Sequence, residues 1–190
     1  MGDNEPVRIL GLGGSGRPGS SSERALRIAL ARAADLGAET DLLVGPDLNL
    51  PLYQYGALDA SGSRLVAKVK WAEGIIVSSP GYHGAPSGMI KNAFDYIEEL
   101  RTHDRPYFDG MAVGCIAVAD GWQAAVTTLQ GLRTIVHALR GWPTPLGVSI
   151  NNAARQGGMF AADGTCHDTG VQRQLETVAQ MVVGFARAVR

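Results

Sequence analysis

The sequence predicts a doubly wound α/β fold, a five-stranded parallel sheet with helices on both faces, built as one domain over residues 1–190. Three observations carry this reading. Short apolar runs alternate along the chain with segments whose apolar residues recur at helical spacing. The runs are apolar without strict alternation, the pattern of parallel strands buried on both faces. The joints between runs and helices are rich in Gly, Ser and Pro.

The elements follow in order. Val7 to Leu12 is the first strand, and Leu26, Ala29, Leu30 and Ala33 line the helix after it. Leu42 to Val44 is the second, joined by a long connection containing Pro, Tyr and Gly to a helix marked by Leu65, Val66, Val69 and Ala72. Ile75 to Ser79 is the third; Pro80 to Pro86 reads as a loop, and Ile90, Ala93, Phe94, Ile97 and Leu100 then share one helical face. Met111 to Ala119 is the fourth strand, followed by a helix over Ala124 to Leu139 with Leu129, Leu132, Val136 and Leu139 in phase. Leu146 to Ile150 is the fifth, and Leu175, Val178, Val182, Phe185 and Val189 mark the last helix. Right-handed crossovers fix the layers of such a fold, and its ligands bind beyond the carboxyl ends of the strands. Function is therefore expected in the loops that leave those ends.

Composition narrows the classes of partner. Seventeen Lys and Arg against eighteen Asp and Glu leave a net charge of −1, too balanced for a surface that neutralises nucleic-acid phosphates. No apolar run approaches the roughly 20 residues of a membrane span, and the first residues carry neither a basic nor an apolar leader segment. A cytoplasmic protein with no nucleic-acid or membrane partner is expected. Cys115 and Cys166 form no metal-binding or redox pair, and Cys115 sits in an apolar run as a small core residue.

The first loop runs Gly13-Gly14-Ser15-Gly16-Arg17-Pro18-Gly19-Ser20-Ser21-Ser22-Glu23 between a buried strand and a helix start. Backbone N–H groups, serine hydroxyls, the helix dipole and Arg17 would together hold a phosphate. Ser20 and Glu23 also fit a capping box, which accounts for the same residues as turn and cap alone. Gly11, Gly13 and Gly16 satisfy GxGxxG, but the third glycine lies well before the helix, and no GKS or GKT is present. The sequence around Ser15, Gly-Gly-Ser-Gly-Arg, fails the GxSxG of a serine hydrolase at its last position. The third loop, Ser79-Pro80-Gly81-Tyr82-His83-Gly84-Ala85-Pro86, brings an aromatic ring and exposed backbone donors to the mouth of the sheet, where a flat ligand would stack or Tyr82 would cover the edge.

Three segments together, GSGRPGSSSE after the first strand, LPLY at Leu50 to Tyr53, and SPGYHGAPSGMIKNAFD from Ser79 to Asp95, resemble the NAD(P)H-dependent FMN reductases of flavodoxin-like fold. The stretch from Leu129 to Arg133 through Pro143 and Pro145 is similar to the family's fourth helix and last strand, so the resemblance spans Val7 to Ile150. It implies that Ser15, Arg17, Ser20, Ser21 and Ser22 hold the FMN phosphate. It also implies that Pro80, Gly81, Tyr82, His83 and Gly84 border the flavin ring, with Asp120 and Gly121 of the fourth loop beside it. The family often carries an acidic residue where this chain has Gly81, and its fourth loop is usually richer in glycine than Ala119-Asp120-Gly121-Trp122-Gln123.

The implied activity is an oxidoreductase that passes hydride from NADPH or NADH to FMN and then reduces a small acceptor such as free flavin or a quinone. The cofactor supplies that chemistry, so no metal site is expected. His83 is the one candidate catalytic side chain, either donating a proton to the acceptor or only hydrogen-bonding in its loop. The resemblance further implies a homodimer or homotetramer. The helices after the third and fourth strands carry Phe94, Tyr96, Ile97, Trp122 and Leu129, which face a partner or pack on their own sheet; Trp122 alternatively walls the ligand site. Two rivals are a flavodoxin-type electron carrier, which the near-neutral charge disfavours, and a flavin-binding module that has lost turnover.

Overall fold

The computed structural model describes residues 5–190. Its strands are β1 (Arg8–Gly13), β2 (Glu39–Val44), β3 (Gly74–Tyr82), β4 (Ala85–Pro86), β5 (Ala112–Ala119), β6 (Trp142–Pro143) and β7 (Val148–Asn151). The helices are α1 (Ser21–Asp35), α2 (Ala60–Trp71), α3 (Gly88–Asp95), α4 (Trp122–Ala138) and α5 (Thr169–Ala188). The parallel core runs β2-β1-β3-β5, with β6 and β7 sharing the last edge. This is the flavodoxin-like order, in which the direction of winding reverses between β1 and β3. The register sets Leu10 beside Asp41 and Ile75, and Ile76 beside Gly114.

Alternate side chains of the central strands feed two separate cores. Leu10, Leu12, Ile75 and Val77 meet Leu65 and Val69 of α2, Ile90 and Phe94 of α3, and Leu132 and Val136 of α4. Ile9 and Ile76 point the other way, to Leu26 and Leu30 of α1 and to Val178 and Val182 of α5. Gly114, at the centre of β5, lets α5 lie close: a Cβ there would stand 2.4 Å from Val178 Cγ1.

Two differences from the sequence reading bear on the site. The segment over Pro80 to Pro86 is a hairpin rather than a loop, because β3 continues to Tyr82 and turns back into β4, pairing Gly81 with Pro86 and Tyr82 with Ala85. His83 and Gly84 form its two-residue turn with φ of 54° and 82°, the paired positive values that match the twist of a hairpin. The fifth strand is split: β6 pairs with the start of β5 and β7 with its end, and Thr144 to Gly147 interrupt them. Pro143 and Pro145 cannot donate to a ladder, so the break falls where an edge tolerates it. Phe94, Tyr96 and Ile97 are buried against their own sheet, whereas Trp122 is 59% exposed.

Candidate functional site

A cavity of about 410 Å³ opens where β1, β3 and β5 end, beside the point at which the winding reverses. Its volume lies within the roughly 300–1,000 Å³ typical of small-molecule and cofactor sites. One end is walled by Ser15, Arg17, Ser20, Ser21 and Ser22, and the other by Pro80, Gly81, Tyr82 and Asp120. The cavity thus joins residues from three loops that the sequence had suggested separately. His83, Gly84 and Gly121 stand outside its wall, while Val118, Ala119, Ala124 and Asn152 complete it.

The serine-rich end is built by its own short-range bonds. Ser15 Oγ accepts the Arg17 N–H at 3.2 Å, which folds the loop back on itself. Ser20 caps α1, its Oγ accepting the Glu23 N–H at 3.2 Å, and Glu23 reaches back to accept the Gly19 N–H at 2.9 Å. The capping box is therefore displaced by one residue from the Ser20 backbone. Ser78 Oγ donates to the Ser22 carbonyl at 2.8 Å, and Ser87 Oγ to the Gly14 carbonyl at 2.6 Å, so β3 and α3 brace the loop from behind.

The chemistry of this end suits a phosphate. Glu23, its nearest carboxylate in the chain, is neutralised by Arg27 at 2.7 Å and occupied by Gly19. The first N–H groups of α1 have no partner within the helix, and the helix dipole adds positive potential at the same place. Arg17 is exposed, with no ion pair or hydrogen bond holding its guanidinium among the described residues. Hydroxyls, amide N–H groups and one exposed guanidinium are the donor set that an anionic ester needs.

The other end carries an aromatic ring, Tyr82, and one carboxylate, Asp120. Tyr82 leaves 57% of its surface exposed at the rim. Gly81 lies so close to α4 that a Cβ there would stand 2.6 Å from Thr128 Oγ1 and 3.1 Å from the Ala124 carbonyl. An acidic side chain at position 81 would need α4 to move, so this chain's glycine is a consequence of how its helix is docked. Gly121 caps α4 without a side-chain bond, leaving the first N–H groups of that helix uncapped next to Ala124 in the wall. Asp120 is held by Asn152, whose Nδ2 donates to Oδ1 at 3.3 Å.

Nothing else among the described residues competes for the chemistry. No group of His, Cys, Asp and Glu there could hold a metal ion. Cys115 is fully buried, and that burial pushes its thiol up to about 12, so it stays protonated and unreactive near neutral pH. His83, in the turn of the hairpin, is not among the residues that line the cavity.

Residues 7–155 match the family model described as NADPH-dependent FMN reductase. The chain belongs to that family. The NADPH-dependent FMN reductase ArsH of Shigella flexneri is 30% identical over 188 residues, which cover 99% of this chain and 72% of that one. An FMN-dependent NADPH-azoreductase of Staphylococcus aureus is 32% identical over 89 residues, 47% of this chain and 44% of that one. Among solved structures, the flavoenzyme NAD(P)H:(acceptor) oxidoreductase FerB of Paracoccus denitrificans superposes with a TM-score of 0.72 at 20% identity, covering 96% and 98% of the two chains. That likeness shows the shared fold. Family membership brings FMN as cofactor and NAD(P)H as reductant, and the donor set described above fits the phosphate of FMN.

Proposed function

We propose that this chain reduces a small planar acceptor, such as free flavin, a quinone or a related compound, with electrons taken from NADPH or NADH through FMN bound in the cavity. The observation that carries this reading is the joining of a serine-rich anion cradle and a mouth bordered by the Tyr82 ring in one space at the sheet's switch point. FMN, when bound, supplies the two-electron chemistry between nicotinamide and acceptor. The chain's task is positional. Ser15, Ser20, Ser22, Arg17 and the backbone N–H of Ser21 hold the phosphate, Pro80 to Tyr82 border the ring, and the uncapped start of α4 places positive potential at the far wall. His83, at the hairpin tip, has no part in this scheme.

The exposed residues of α4 are Trp122, Gln123, Val126, Thr127, Gln130, Thr134, His137 and Ala138, with no Asp, Glu, Lys or Arg among them. Depletion of charge beside an exposed Trp suits a face shared between two copies of the chain, so a homodimer through α4 belongs to the same reading, as does a cytoplasmic setting. No helix among the described residues is long and apolar enough to cross a membrane.

Titration of FMN and of riboflavin into the apoprotein, read by quenching of flavin fluorescence, tests the cavity assignment. FMN is expected to bind at least about tenfold more tightly, since a charge-assisted phosphate site contributes about 1.5–3 kcal/mol. Equal affinities would remove the phosphate from the serine-rich end. Arg17→Ala is expected to weaken FMN about tenfold and to leave riboflavin affinity and thermal stability unchanged, because the side chain is solvent-exposed and makes no contact that the fold needs. Unchanged FMN retention would take Arg17 out of the site.

A further inference from the structure

We propose that Asn152 is a positioning residue that sets the spacing between the two ends of the cavity. It follows β7 at the start of a short 3-10 turn, Asn152–Ala154. Its Oδ1 accepts Ser21 Oγ–H at 3.1 Å and the Met159 N–H at 3.1 Å, and its Nδ2 donates to Asp120 Oδ1 at 3.3 Å. The orientation of the amide is dictated by its partners, since the Met159 N–H only donates and an ionised Asp120 only accepts.

These partners belong to separate segments. Ser21 opens α1 at the serine-rich end, Asp120 lies between β5 and α4 at the other end, and Met159 belongs to the strap that runs from the 3-10 turn to α5. The strap lies beyond the matched residues 7–155 and is itself anchored: Met159 and Phe160 are buried in the core beneath α1 and α5, and Arg24 Nη1 donates to the Phe160 carbonyl at 3.3 Å. One amide thus ties both walls of the cavity to a fixed point in the core.

A ligand that must touch both walls gains from having them set in advance, because the cost of ordering the loops is then met by the fold. FMN reaches both ends, whereas riboflavin lacks the group that engages the serine-rich end. Losing the tie should therefore cost FMN more than riboflavin. This inference rests on the reading of the cavity as an FMN site, but the tie itself exists without flavin and can be observed in the apoprotein.

The test compares Asn152→Ala, Asn152→Asp, Asp120→Asn and the double variant Asn152→Asp/Asp120→Asn with the parent chain. Asn152→Ala is expected to reduce the preference for FMN over riboflavin about tenfold, the loss of its side-chain hydrogen bonds to Ser21 and Asp120. Asn152→Asp sets two carboxylates against each other and should reduce it at least as far. In the double variant an amide at position 120 donates to a carboxylate at position 152, which still accepts from Ser21 and Met159, so the tie is restored; the carboxylate now beside the phosphate end itself disfavours FMN, and the rescue is therefore read at the Met159 amide rather than in the preference. Hydrogen exchange at the Met159 amide, measured without flavin, is expected to quicken in Asn152→Ala and to slow again in the double variant. An unchanged preference in Asn152→Ala would overturn the proposal, as would exchange at Met159 that is unchanged in Asn152→Ala or no slower in the double variant than in Asn152→Ala. Failure of the parent chain to bind FMN would instead overturn the cavity reading, with the exchange data still deciding the tie. Thermal unfolding of each apoprotein separates loss of binding from loss of fold.

Discussion

Ser21→Asp is expected to weaken FMN binding about a hundredfold, with riboflavin affinity changed less than about threefold and thermal stability retained. Ser21 is the first residue of α1 and lines the serine-rich end of the cavity. A carboxylate at that position is favourable for the helix, because it opposes the positive end of the dipole. For the same reason it occupies the place where a phosphate would sit. Two like charges about 4 Å apart at a partly screened site repel by roughly 4 kcal/mol. That term exceeds the roughly 2.7 kcal/mol of a hundredfold change. Ser21→Ala separates charge from lost hydrogen bonding and should cost FMN only about fivefold. Competition of FMN and riboflavin for the same variants, read by fluorescence, distinguishes a phosphate site from a generally damaged cavity.

Gly114→Val is expected to lower the melting temperature by roughly 6–12 °C, the equivalent of about 3 kcal/mol for a chain of this length. The strand it occupies is buried along its whole length, and its missing side chain is the space into which α5 settles. The Cβ alone would stand 2.4 Å from Val178 Cγ1 and 3.2 Å from Val182 Cγ2, so either the helix lifts or β5 shifts. Because β5 ends at Ala119 and Asp120 in the cavity wall, a shift would also loosen FMN, in contrast to Ser21→Asp, where binding falls and the fold persists. Circular dichroism melts of the apoproteins, set beside their flavin affinities, check that contrast. An unaltered melt would mean that α5 is not packed on Gly114.

What the sequence made legible, and what it did not, follows the range of the interactions. The serine-rich loop was readable because its cap, turn and cation lie within a few residues of one another, and chemistry alone connects Ser15, Arg17 and Ser20. The parallel strands were readable because burial on both faces leaves unbroken apolar runs such as Ala112–Ala119. Strand order was not, since it is set by which helices cover which face. The hairpin from Gly81 to Pro86 looks like a loop in sequence because a His-Gly pair between prolines lacks the usual Asn-Gly signal of such turns. Gly81 looked like a departure from the family pattern, and its reason, the closeness of Thr128, appears only once α4 is in place. Asn152 had no local signal at all. Its partner Ser21 is 131 residues away, and an Asn after a strand ordinarily reads as a turn residue.

FMN held in this cavity is expected to accept electrons directly from a nicotinamide without a protein partner. An anaerobic absorbance spectrum of the FMN-loaded chain, recorded before and after NADPH and then NADH, tests it most directly. Prompt bleaching of the visible flavin band by at least one nucleotide is expected, with the faster of the two giving the preference. A flavin that binds tightly and stays oxidised with both would contradict it, and would leave the chain a carrier or a silent flavin-binding module.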